Sequence, residues 1–391
     1  MLRFLTAGES HGPQLTAILD GMPAGLRVSM QDIDRDLALR QVGYGAGPRM
    51  KLEEDRVQIV GGVLAGQTTG APIALMIENR DHARWKDRGI APMSVPRPGH
   101  ADLTGAIKYG YRELRLSLER ASARETAART AVGALCRKFL AEFGVVIGSY
   151  VTSIGMAQVD FDDEALGAQG YVDRFAHAES SDVRCVDAAS AERVRAEIRK
   201  AIEAKDTLGG VVEVVALNAP PGLGSHVQWD RRLVAQLMAA LGSVHSVKGV
   251  EIGRAFEQAR QRGTEVHDEI FLEEGRIVRR TNRAGGFEGG VTTGEPIVAR
   301  VAMKPISTTL NPLRSVDLAD GAATHTRYER SDFCSVPRAC VIFEAMTAFV
   351  LADALIEKLG GDSLEEMRPR FATLRRARLE DLPMDNVEWM F

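Results

Sequence analysis

The sequence predicts a mixed helix-and-strand fold assembled from two related halves. Short β-branched runs bounded by glycine alternate with helical segments that carry their own caps. A twelve-residue stretch from the first quarter of the chain recurs in altered form late in it. The chain has 391 residues, 45% hydrophobic and 26% charged, which is enough apolar material for one large core or two smaller ones.

The helices come with start signals. Ser29, with Asp32 three residues on, opens a helix expected over 30–40. Ser122-Ala123-Arg124-Glu125 reads as a capping box, and Val132, Leu135, Cys136, Phe139, Leu140 and Phe143 follow at helical spacing before Gly144. That predicts one amphipathic helix over 123–143. Further helices are expected over 190–205, where Val194, Ile198 and Ile202 are in step, over 230–241, and over 336–359. The last is apolar on most faces and is therefore expected inside the core. Strands are expected at RVQIV (56–60), APIALMI (71–77), VVEVVAL (211–217) and IVARVAM (297–303). The stretch 156–185 is polar and unpatterned, and reads as an excursion outside the core.

GQTTGAPIALMI (66–77) and GVTTGEPIVARV (290–301) share six identities in twelve positions. ILDGMPAGL (18–26) and ALNAPPGL (216–223) pair at nearly the same offset, each followed by a helix. We read one domain over 1–391 with an internal pseudo-repeat, about 1–150 and 206–360, packed about a pseudo-twofold axis. T-T-G-x-P is also ordinary hairpin chemistry, and shared turns alone would give part of this match.

Net charge is −4, which argues against a surface built for nucleic acid. Four scattered cysteines form no CxxC pair and suit a reducing cytoplasm. The N-terminal MLRFLTAGESHG has no apolar run before a cleavage site, so neither export nor membrane spanning is expected. No histidine falls in a metal-binding pattern, and no metal is expected.

Chemistry concentrates where arginines and histidines fall in glycine-rich turns. GESHGP (8–13) sets His11 between glycines that let backbone approach a ligand, and RPGHAD (97–102) does the same for His100. Arg112, Arg115, Arg120, Arg124 and Arg129 surround the capped helix start. They make either an anion site at a helix N-terminus or a solvated face paired with Glu119 and Glu125. RQVGYGAGPRM (40–50) is a flexible loop between Arg40 and Arg49, with neither a Walker nor a dinucleotide fingerprint. KPISTTLNP (304–312) can hold a phosphate tail or form a surface turn. Asp332, between Arg330 and Arg338, is either a carboxylate beside a ligand or one member of an ion-pair trio. His82, His226, His267 and His325 sit in plain polar stretches and read as surface residues.

GESHGP, RQVGYGAGPRM, RPGHAD, RASARETAAR (120–129), VKGVEIG (247–253), NRAGGFEGG (282–290), KPIST and RSDFCSV (330–336) together resemble the chorismate synthase family, in order and from about residue 3 to 355. The resemblance implies an α+β fold, a β-α-β sandwich of antiparallel sheets enclosed by helices, in a cytoplasmic homotetramer. It implies a lyase that converts 5-enolpyruvylshikimate 3-phosphate to chorismate and phosphate by 1,4-elimination. Reduced FMN lends electron density and recovers it, and NADPH is an indirect electron source. Carried over residue by residue, His11 acts at the flavin, His100 assists the leaving phosphate and Asp332 takes a proton near flavin N5. Ser10, Arg49, Arg97, Arg124 and Arg330 would bind substrate. Arg120, Ala121, Ser122, His245, Ser246, Gly289, Lys304, Pro305, Ile306, Ser307, Thr308 and Arg330 would contact the flavin, and Arg40 the nicotinamide cofactor.

One departure stands out: the family loop reads GYGRG and this chain reads GYGAG, with Ala46 in place of an arginine that would contact substrate or the nicotinamide cofactor. An unreplaced loss of this kind costs about 2–5 kcal/mol of binding. The alternative function is an NADPH-dependent flavin reductase using the arginines for FMN and NADPH alone. A polyanion-binding protein would use them without catalysis, which the acidic charge and 6% aromatic content disfavour.

Overall fold

Two antiparallel sheets enclose a layer of helices in the computed structural model, which describes residues 1–46, 54–160, 166–329 and 331–390. The first sheet runs in the order β1 (Arg3–Ala7), β2 (Gln14–Asp20), β4 (Ile73–Glu78), β3 (Val57–Gly61). Its inward residues, Leu15, Ala17, Leu19, Ile73, Leu75 and Ile77, alternate with more exposed ones, the period-2 pattern of a sheet with one buried face. The second sheet is ordered β8 (Val247–Ile252), β9 (Ile297–Met303), β7 (Gly210–Leu217), β5 (Val146–Ile154), β6 (Ala157–Gln158). Both sheets are antiparallel throughout, with Ala17 opposite Leu75 in one and Val214 opposite Ala299 in the other. This is the α+β sandwich that the sequence resembles.

Between the sheets lie α1 (Met30–Gln41), α4 (Thr126–Ala141), α7 (Leu233–Gly242) and α8 (Val336–Leu359), with α2 (Asp102–Tyr109) and α3 (Arg115–Arg120) at the rim, while α6 (Ala188–Glu203) adds Val194 and Ile198 to the main core. Ser29 and Asp32 form the expected reciprocal cap on α1. α4 and α8 cross where Gly133 faces Ala345, and a Cβ on Gly133 would lie 2.2 Å from the Ala345 Cβ. Only glycine permits that approach. Among the described residues α8 is the one helix long and apolar enough to cross a membrane, but its side chains are spent on the core, Phe343 and Leu355 being fully buried.

Two expectations change. The segment after Ser122 begins as a single 3₁₀ turn, Ala123–Glu125, before α4 starts. Ser122 caps it by accepting from Arg124 N–H at 3.3 Å, but Glu125 does not complete the box. Its carboxylate accepts instead from Thr6 Oγ1 at 2.7 Å and Arg129 Nε at 2.8 Å. Within 156–185, read above as an excursion, lies α5 (Ala168–Ser180), which packs Tyr171, Phe175 and Ala178 on the outer face of the second sheet. A Cβ on Gly148 of β5 would lie 2.3 Å from the Phe175 ring, so the sheet is shaped to receive it. Val183 and Cys185 then enter the main core. The segment looked unpatterned because one narrow apolar stripe suffices to hold a helix against a sheet.

The two Thr-Thr-Gly turns make the same hydrogen bonds. Thr68 Oγ1 donates to Pro23 O at 2.6 Å and accepts from Leu26 N–H at 3.0 Å. Thr292 Oγ1 donates to Pro220 O at 2.7 Å and accepts from Leu223 N–H at 2.8 Å. Gly62 and Gly286, both at left-handed φ, let the following strand pass where a Cβ would meet Ile73 Cα at 2.7 Å or Ile297 Cα at 2.8 Å.

Charge also enters the core. Arg137 Nη1 lies 3.2 Å from Asp36 Oδ2 and 2.8 Å from Glu344 Oε2, and Ser149 Oγ donates to Glu344 at 2.7 Å. Burial, only partly offset by Arg137, pushes the Asp36 carboxyl up to about 6.

Candidate active site

The GESHGP loop between β1 and β2 is pinned from several sides. Asn79, just past β4, donates from Nδ2 to Glu9 O at 3.1 Å and Gly12 O at 2.8 Å. Ser10 N–H donates to Glu119 O at 3.1 Å, and Ser122 Oγ donates to Ser10 Oγ at 3.0 Å. Glu119, on α3, accepts from His11 N–H at 2.8 Å and faces His11 Nδ1 at 2.8 Å. Burial opposes ionisation of Glu119, but the bonds from His11 outweigh it and hold the carboxyl below its usual range. The Trp85 ring lies 4.6 Å from the His11 ring, centroid to centroid. His82, expected on the surface, is half-buried, with Nδ1 2.9 Å from the His11 carbonyl oxygen.

The RPGHAD turn makes a second histidine–carboxylate pair. Asp102 is sealed from solvent at 0% exposure, and accepts from Arg97 Nε at 2.8 Å and Arg97 Nη2 at 2.9 Å, with His100 Nδ1 at 2.6 Å. Burial works against its charge, yet His100 and Arg97 together hold it well below the usual carboxylate range. Arg97 Nη1 donates to Thr308 Oγ1 at 3.2 Å, tying the turn to the KPIST segment.

A third group sits where α1 meets the start of α4. Buried Asp55 accepts from Arg40 Nη1 at 3.1 Å and Arg124 Nη1 at 2.5 Å. Arg40 Nε also donates to Thr126 Oγ1 at 3.1 Å, and Arg124 Nε to Asn79 Oδ1 at 2.8 Å. Burial lowers the Arg40 guanidinium to about 9, against the pull of Asp55. Arg338, on α8, donates from Nε to the Arg40 carbonyl at 2.9 Å and from Nη1 to Asp332 Oδ2.

These groups open on one cavity of about 480 Å³, within the roughly 300–1,000 Å³ typical of small-molecule sites. Ser10, His11, Arg40, Arg97, His100, Ala121, Ser122, Arg124, His245, Ser246, Lys304, Ile306, Ser307, Thr308 and Asp332 all line it. His245 Nδ1 is buried there with no hydrogen-bond partner among the described residues, and burial pushes its imidazole down. Burial, with Lys248 nearby, likewise lowers the Lys304 ammonium. Ser246 sits at left-handed φ, a strained conformation for a non-glycine residue at a cavity wall.

Three expected residues lie elsewhere. The Arg120 guanidinium turns to β1, donating to Thr6 O and Thr6 Oγ1 at 2.9 Å each, and lines a neighbouring hollow. Pro305 is exposed, and Gly289 is exposed beside His226. Arg49 and Arg330 lie outside the described residues. Ala46 closes a turn, its N–H donating to Gly43 O at 3.3 Å. Sequence reasoning missed Glu119, Asp55 and Trp85 as parts of the site. Asp55 ends an acidic run, EED, that gives no sign which carboxylate turns inward, and Glu119 sits 108 residues from its histidine.

The chain's relatives agree with one another. A family model described as chorismate synthase matches residues 2–356. A chorismate synthase of Aquifex aeolicus is 52% identical over 383 residues, covering 95% of this chain and 96% of its own. That of Geobacter sulfurreducens is 49% identical over 389 residues, covering 95% and 98%. A solved crystal structure of chorismate synthase superposes with a TM-score of 0.79 at 47% identity, covering 95% of this chain and 96% of that one.

Proposed function

Because the chain belongs to the chorismate synthase family, and is thus a lyase of the shikimate pathway, we propose that its cavity converts 5-enolpyruvylshikimate 3-phosphate to chorismate and phosphate by 1,4-elimination, as a carbon–oxygen lyase acting on a phosphate, with reduced FMN as cofactor. One observation carries the reading. Two imidazoles, each backed by a carboxylate at Nδ1, face a single cavity on which Arg40, Arg97, Arg124, Arg338 and Lys304 converge. A substrate with one phosphate and two carboxylates needs such a set of cations.

The residues present fit a flat, anionic heteroaromatic cofactor. The buried Nδ1 of His245 offers an unused polar atom, and Gly99, at left-handed φ, leaves open the space where a Cβ would come within 3.4 Å of Ser307. Ala121, Ser122, His245, Ser246 and the Lys304–Thr308 segment would hold it, with Lys304 and the hydroxyls of Ser307 and Thr308 toward its phosphate. When bound, reduced flavin supplies the electron density that lets an unactivated C–H bond break as phosphate leaves.

The protein's part is binding, orientation and proton placement. Arg40 and Arg124, splayed on Asp55, and Arg97, with one N–H left on each Nη, meet the substrate's anions. In its protonated form His100 delivers a proton from Nε2 to the departing phosphate, while the Nδ1–H held by Asp102 stays on the ring. His11 places a proton from its own Nε2 at the cofactor, held by Glu119 and flanked by Trp85. Asp332, paired with Arg338, lines the cavity and is placed to accept a proton. The same reading makes the enzyme a cytoplasmic homotetramer, with NADPH an indirect electron source at most, since Ala46 leaves Arg40 as the only arginine matching the family's nicotinamide contact.

Anaerobic phosphate release from 5-enolpyruvylshikimate 3-phosphate, with FMN reduced in one sample and oxidised in another, tests it. Release only with reduced FMN is expected. No release in either from folded protein, unrestored by Ala46→Arg, refutes it, and steady NADPH oxidation without substrate replaces it with a flavin reductase.

A further inference from the structure

Asp102 opens α2 but does not cap it. No side-chain cap bond forms at that helix start. The carboxylate turns back into its own turn: Oδ2 takes Arg97 N–H at 3.0 Å and Arg97 Nε at 2.8 Å, while Oδ1 takes Arg97 Nη2 at 2.9 Å and His100 Nδ1 at 2.6 Å. Four donors thus occupy the four lone-pair sites of a carboxylate at 0% exposure. Three of the four belong to Arg97, so the carboxylate is oriented by the arginine before the histidine reaches it.

From this geometry we infer that Asp102 is a positioning residue: it holds the Nδ1 proton of His100, so that the neutral ring is the Nδ1–H tautomer and the proton exchanged with the cavity is the one on Nε2. The inference rests on the reading of function above and adds a residue to it. Arg97 Nη2 lies 3.0 Å from His100 Nδ1, a separation at which a guanidinium N–H and a ring N–H tolerate each other only with an anion between them. Among the described residues, Lys304, beyond Gly99, and His245 also lie near His100, and no hydrogen bond joins either to Nδ1. Asp102 is therefore what sets the proton's place on the ring.

An amide at position 102 makes a sharp test. In Asp102→Asn the NH₂ avoids the Oδ2 position, where two arginine donors converge, and takes the Oδ1 position, where it gives up the single bond from Arg97 Nη2 and donates to His100 Nδ1. The neutral ring is then driven to the Nε2–H tautomer, a far weaker acid than the protonated ring because giving up that proton would leave an imidazolate. The experiment is ¹⁵N NMR of histidine-labelled protein at pH 8 without flavin or substrate, with the His100 signals assigned by their loss in His100→Gln. The expected result is Nδ1–H in the wild type, Nε2–H in Asp102→Asn, and phosphate release slowed about 10²-fold with KM little changed. A purely structural turn would lose folding stability and leave the tautomer alone. An unchanged tautomer in the variant, or Nε2–H in the wild type, overturns the inference. If Asp102→Asn does not fold, the wild-type spectrum decides it. A wild type with no phosphate release under reduced FMN refutes the reading of function, while the ring spectra still judge Asp102.

Discussion

His11 and His100 reach the same cavity by different supports. Each sets Nδ1 against a carboxylate, at 2.8 Å and 2.6 Å. Glu119 is 15% exposed, is met among the described residues by the charged group of His11, and shares the work of orientation with the Trp85 ring. Asp102 is fully buried and bound into Arg97, which continues to Thr308 on the far wall. One histidine is held by local reach and the other by a buried charge network. The contrast teaches that two similar-looking dyads carry different loads: the first orients a side chain, whereas the second also joins two walls of the site.

Removing one partner from each support should expose that difference. Arg97→Ala strands a buried carboxylate and should cost about 3–5 kcal/mol in denaturant unfolding. Glu119→Gln, at a partly solvated pair, should cost about 1 kcal/mol. Equal costs would break the comparison.

Acid sensitivity sharpens it further. Asp102 is held well below its ordinary range, so the unfolded chain binds its proton first, and its stabilisation is present above about pH 4 and lost as pH falls below it. Glu119 shifts in the same direction. Asp36 works oppositely, since a carboxyl raised to about 6 makes stability fall as pH rises from about 4 to 6. Below pH 4, therefore, stability against pH should be flatter in Asp102→Asn than in wild type, with Glu119→Gln between them. Parallel curves for the two variants would contradict the asymmetry. The smallest effect belongs to Trp85→Leu, which should slow turnover by about 0.5–1.5 kcal/mol through a looser His11, with His100 and its tautomer unmoved.

The same contrast explains what could be read before the structure was known. Asp102 lies two residues from His100 inside one turn motif, and its approach to the ring is a local matter. Glu119 and Asp55 lie in other elements, and only the packing of α3 on the GESHGP loop and of α1 on the start of α4 brings them in. Capping and spacing placed α1 and α8 within a residue or so, because Ser29 and a long, mostly apolar run are strong local signals. The helix at Ala168–Ser180 escaped because its apolar stripe is narrow and its partner surface, around Tyr150 and Val215, is distant in sequence. Arg120 was expected at the cavity with Ala121 and Ser122 from the family resemblance, yet its long side chain leaves with β1 while their short ones stay.

The measurement that tests the account most directly is single-turnover phosphate release under anaerobic conditions with reduced FMN, run side by side on wild type, His11→Ala and His100→Ala. The account predicts release by the wild type and a rate at least about 10²-fold lower in each variant, with both still folded. Near-normal rates in both variants would remove the two imidazoles from the chemistry and contradict it.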